Sequence, residues 1–108
     1  MADASELLSL AFFEYEMRYS DLMARIEIDN LSEIAFDEFL GGFTIGLEDP
    51  KVTSTNLSSL VDERFRQSRL SDPKAETVRL LLTLMKDVFT YGVLFGARLK
   101  EGMREYKH

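Results

Sequence analysis

The sequence predicts an all-α fold, a small bundle of about four helices with a long C-terminal helix, on three observations. Apolar residues recur at spacings of three and four through four separate stretches, the period of a helix with one buried face. The two prolines, Pro50 and Pro73, fall between those stretches rather than inside them. The 108 residues are 45% apolar, which suits one helical domain over residues 1–108 and is too high for a disordered chain.

The first helix is expected from Ser5 to Ile28, with Leu8, Ala11, Phe12, Tyr15, Tyr19, Leu22, Met23 and Ile26 as its buried stripe. A second stripe of Leu10, Phe13 and Met17 lies well away from the first on the helical wheel. Between them run Glu14, Arg18, Asp21 and Arg25, alternating in charge at helical spacing. A helix with two apolar stripes either sits centrally in a bundle or meets a partner with its spare side. The central position is the expectation here.

Asn30 followed by Glu33 fits a capping box and opens the second helix, Leu31 to Leu47. Phe36, Phe39, Leu40, Phe43 and Leu47 share one face, and the small residues Ala35, Gly42 and Gly46 lie beside them. A glycine inside a helix costs about 1 kcal/mol relative to alanine, so two on one face point to a close backbone approach or a bend. Glu48-Asp49-Pro50 stops the helix, because acids are unfavourable at a helix C-terminus and the residue before proline leaves the α region. Residues 49–56 read as a loop, and Leu57 to Arg69 as a third helix with Leu57, Leu60, Val61 and Phe65 on one side.

Ser71-Asp72-Pro73 is a helix start signal, and the pattern then runs to Tyr106. Val78, Leu81, Met85, Val88, Gly92, Phe95, Leu99, Met103 and Tyr106 form a seam close to a heptad repeat. Unbroken, that helix would be about 50 Å long, against a radius of gyration of about 13 Å for a compact domain of this size. It must bend at Gly92 or Gly96, or pair with a second copy. A homodimer through the C-terminal helix is the expectation.

One internal echo stands out. Phe39 to Gly46 (FLGGFTIG) and Phe89 to Gly96 (FTYGVLFG) share the pattern Phe-x-x-Gly-x-x-x-Gly, fifty residues apart. Glycines four apart leave one helix face without side chains, so Gly42, Gly46, Gly92 and Gly96 are read as close-packing positions where two helices cross. These glycine-rich helical endings resemble those of small proteins carried by bacterial mobile elements. The likeness is confined to these short stretches and implies no residue roles.

Catalytic equipment is sparse. There is no cysteine, and the single histidine is His108, so thiolate chemistry and most histidine-based catalytic or metal constellations are excluded. Glu33, Asp37 and Glu38 fall within one turn, but helical carboxylate metal sites also use Glu-x-x-His, which is absent. Gly41, Gly42 and Gly46 lack the lysine of a phosphate cradle. The triplets Asn30-Leu31-Ser32 and Asn56-Leu57-Ser58 read as capping sites. No catalytic residue, metal ligand or cofactor is expected.

Charge carries more information. The net −6 divides into −10 over residues 1–49 and +4 over residues 50–108. An acidic face of Glu14, Asp21, Glu33, Asp37 and Glu38 is the expected protein-binding surface, opposite a basic cluster of Arg64, Arg66, Arg69, Lys74 and Arg79. No apolar stretch approaching the ~18 residues of a membrane helix is seen, nor a basic signal region at the N-terminus, so a cytoplasmic location without membrane association is expected.

The function expected is a non-catalytic protein-binding module, a small acidic inhibitor or adaptor, one option within that class being a mobile-element protein acting on a nucleic-acid-binding enzyme. The alternative is a regulator that binds nucleic acid through the Arg64–Arg79 cluster. The overall acidity argues against it, and nucleic acid is not the expected partner.

Overall fold

The computed structural model of the protein describes residues 4–26, 28–66 and 76–106 and, over them, six helical segments and no strand. They are α1 (Ala4–Arg18), α2 (Ser20–Ala24), α3 (Leu31–Glu48), α4 (Val52–Thr55), α5 (Leu57–Arg66) and α6 (Glu76–Tyr106). The protein is a small all-α bundle.

Its organising contact is between α3 and α6, and the glycines explain it. A Cβ added at Gly42 would come closer than 3.0 Å to the Phe89 carbonyl oxygen, and one at Gly92 equally close to that of Phe39. Gly46 meets the carbonyl of Val93 in the same way, and Gly96 that of Phe43. Contacts advance in the same direction along both helices, so α3 and α6 are parallel. They also correspond at a constant offset of fifty residues, which makes the pair nearly symmetric about an axis running between the helices. Backbones this close bring flanking side chains into contact along their whole length, and Ala35, Phe39, Leu84, Val88, Phe89 and Val93 are fully buried there.

A parallel pair needs a return segment between its members, and α4 and α5 supply it. The α1–α2 arm lies on one flank of the glycine ridge, antiparallel to α6: the Tyr91 hydroxyl donates to the Ala11 carbonyl (3.2 Å), the Tyr15 hydroxyl to that of Leu84 (3.4 Å), and Arg25 meets Glu76 (3.5 Å). On the other flank α5 is held by Arg64, whose guanidinium bonds Glu38 of α3 and covers the Phe89 ring of α6 at 4.5 Å. Phe65 meets the same ring edge-on, with centroids 6.0 Å apart.

Several expectations change. The first helix is interrupted at Tyr19 (φ −109°, ψ 19°), although hydrogen bonds run through the break from Tyr19 to Tyr15 and from Met23 to Tyr19. The capping box does not form: Asn30 is left-handed (φ 63°), and no side-chain bond caps α3. Its carbonyl still accepts the Ile34 amide, so the backbone alone starts the helix. Residues 52–55, read as loop, make the short turn of α4.

The C-terminal helix is continuous through Gly92 and Gly96. The middle of the seam expected to hold a second copy is filled from within the chain. Met85, Val88 and Gly92 are buried, and Gly92 lies against α3 itself. At 1.5 Å per residue the helix is about 46 Å long, which accounts for the 52 Å length of the molecule and its radius of gyration of 14.8 Å.

The membrane expectation is also corrected in part. By length and composition Arg79–Gly102 would suffice to cross a membrane, because Lys86 and Asp87 are the only charges between Leu80 and Ala97, with Arg79, Arg98, Lys100 and Glu101 at the ends. In the folded chain 44% of its most apolar eighteen residues are buried, with the glycine face against α3.

Asp87, on the exposed edge of the α1–α6 contact, lies beside Tyr15. Burial raises its carboxyl above the ordinary 3.8, and its charge, after burial itself, adds to what raises the Tyr15 hydroxyl. A raised folded-state value means that the protonated acid favours the fold. That contribution is complete below the ordinary value and lost as pH rises through the folded one. Asp87→Asn is therefore expected to melt higher than the parent at pH 7, with the gap closing towards pH 3 in thermal scans. A lower melting point at pH 7 would show that the charge is compensated.

Candidate functional site

The α1 helix departs from the central position expected of it, because α3 and α6 occupy the centre. Its first stripe packs inward: Ala11, Phe12 and Tyr15 are buried, and Phe12 meets Phe36 and Phe39 at ring-centroid distances of 5.0 and 5.8 Å. The second stripe is left outside. Leu10, Phe13 and Met17 are 62%, 57% and 65% exposed, and Leu7 beside them is 40% exposed. Three large apolar side chains more than half exposed in consecutive turns of one helix form a contiguous patch rather than the scattered residues normal on a surface.

The near-symmetry of the α3–α6 pair gives this patch an internal comparison. Phe12 meets the Phe39 ring as Phe65 meets that of Phe89, so Leu10 and Phe13 correspond to Glu63 and Arg66 on the opposite arm. Both are exposed there, and Glu63 pairs with Arg66 (3.3 Å). The architecture therefore does not require apolar residues on the outer side of an arm; α1 carries them where α5 carries charge.

Beside the patch runs an open groove between the α1–α2 arm and the first turns of α3. It consists of two adjoining depressions of about 680 and 510 Å³ that share Glu16, Ser32 and Glu33. Phe12, Phe36 and Leu31 form an apolar floor, Phe13 and Met17 one rim, and the carboxylates of Glu16, Glu33 and Asp37 the polar side. The Ser32 hydroxyl donates to Glu16 (2.7 Å), which fixes one carboxylate across the groove. Among the described residues no lysine or arginine forms an ion pair with Glu16, Glu33 or Asp37.

Of the acidic residues singled out in the sequence, only Glu33 and Asp37 come together at this groove. Glu14 lies towards Tyr91, where burial chiefly, and Glu14 after it, raises the tyrosine hydroxyl. Asp21 is exposed on α2, and Glu38 faces the other flank, bound to Arg64. The basic cluster is represented by Arg64, committed to Glu38 and Phe89, by Arg66, paired with Glu63, and by exposed Arg79. Arg69 and Lys74 lie outside the described residues.

Glu16 escaped the sequence reading, and Ser32 entered it only within a capping triplet. Their only signal was adjacency to the apolar stripes, and they meet only because α1 folds back along α3. Among the described residues no three metal-ligating side chains converge. Compared with known protein families, curated proteins and solved structures, the chain matches none.

Proposed function

We propose that the protein is a non-catalytic binding module, a small soluble inhibitor or adaptor of the cytoplasm that docks a partner protein on the outer face of α1. The observation that carries this reading is the exposed row of Leu10, Phe13 and Met17 on an arm whose counterpart, α5, is polar at the matching site. Exposed apolar rows of this kind, edged by charge, are what protein interfaces cover. The nucleic-acid alternative is weakened because Arg64, at the start of its basic cluster, is already engaged by Glu38 and the Phe89 ring.

The test is a triple variant, Leu10→Ser, Phe13→Ser and Met17→Ser. Its helical circular dichroism should match the parent and its stability should change by less than about 0.5 kcal/mol per site, since little is buried there. In pull-downs from a native lysate it should lose the proteins the parent retains. Retention of the same proteins by folded variant and parent would reject the α1 face. If light scattering gives the parent twice the mass of the variant, the retained partner is a second copy.

A further inference from the structure

Resting on that reading, we propose that the groove between the α1–α2 arm and α3 receives a basic amphipathic helix of the partner protein. Both walls are helices whose backbone groups are internally bonded, so the groove offers no strand edge for an extended peptide to pair with. What it offers is an apolar floor of Phe12, Phe36 and Leu31, the shape into which the side-chain ridge of another helix packs.

Its length fits as well. The lining runs along the arm from Ser9 to Ala24, about 22 Å or four helical turns, enough for anchors at i, i+3 or i+4, and i+7. Charge then selects among amphipathic helices. Glu16, Glu33 and Asp37 edge the floor without a cationic partner among the described residues, and Glu33 and Asp37 are exposed. A helix with lysine or arginine flanking its apolar face supplies the missing countercharge, whereas an acidic helix or an anionic lipid surface is repelled.

Two synthetic peptides of about four turns test this, sharing one leucine pattern and carrying either lysine or glutamate at every polar position. Fluorescence anisotropy with the intact protein should show the lysine peptide binding at least about tenfold tighter than the glutamate peptide. Glu33→Lys with Asp37→Lys should weaken the lysine peptide by about tenfold or more, and Glu33→Gln with Asp37→Asn by an intermediate factor. Glu48→Lys with Glu101→Lys makes the same change in net charge at exposed sites away from the groove, and should alter binding by less than about twofold at physiological salt.

Equal losses in the two lysine-substituted proteins would reduce the effect to general attraction by an acidic protein and overturn the proposal. So would equal affinity for the two peptides. A parent dimer that dissociates in the Glu33→Lys, Asp37→Lys variant would overturn the foreign helix in favour of the basic half of a second copy. Failure of the lysine peptide while the serine triple still abolishes capture would leave the α1 face standing and remove only the basic helix; failure of both would remove the reading itself.

Discussion

Gly92→Ala should destabilise the protein by about 3 kcal/mol, while Gly102→Ala in the same helix should stabilise it by about 0.5 to 1 kcal/mol. Alanine is the better helix former at both positions, so propensity alone predicts two gains. At Gly92 the new methyl would lie closer than 3.0 Å to the Phe39 carbonyl oxygen, and near the Phe43 amide nitrogen as well. Those are backbone atoms of a packed helix and cannot rotate aside. Either α3 and α6 move apart, loosening every contact along the ridge, or the helix deforms. At Gly102 nothing lies within 4 Å. Thermal melts should show a fall of about 15 °C for the first variant and a rise of a few degrees for the second. Equal shifts of the same sign would mean that the glycines are not where the helices touch.

Phe39→Ala should cost about 3 to 5 kcal/mol, a large part of the ~5 to 15 kcal/mol that holds a domain of this size together. Phe39 is completely buried and its ring meets four others: Phe12 of α1 at 5.8 Å, Phe36 at 6.1 Å, and Tyr91 and Phe95 of α6 at 5.6 and 6.1 Å. Three helices thus share one side chain. Truncation leaves a cavity between elements that glycine contacts already hold rigidly, so collapse around it is limited. Phe39→Leu fills much of the space and should lose far less. Denaturant titration measures both, and a similar small loss for alanine and leucine would contradict a tightly packed centre.

Much of this architecture was legible because helical spacing is a strong local signal. The α3 helix runs to Glu48 against an expected end at Leu47, and the paired Phe-x-x-Gly-x-x-x-Gly segments were visible as a repeat. Their parallel direction was not, since it depends on α5 crossing back between them. The direction faced by α1 was equally hidden: both of its stripes are apolar, and only the pairing of α3 with α6 decides that Phe12 and Tyr15 turn inward while Phe13 and Met17 remain outside. Asn30 shows the limit of cap reading. Residue type favoured a side-chain bond, but the chain arriving from Ile28 adopts a left-handed turn there instead. The acidic residues were countable from composition, yet their grouping followed tertiary placement, which left Glu38 with Arg64 and Glu33 with Asp37 at the groove.

The fifty-residue offset between the crossed helices also sets a timetable for biosynthesis. A ribosome adding about 5 to 20 residues per second completes the first glycine ridge some 3 to 10 s before the second. Throughout that interval the nascent polypeptide presents an oily flank whose own mate is still unmade, a moment when holding chaperones and neighbouring nascent chains compete for the same surface.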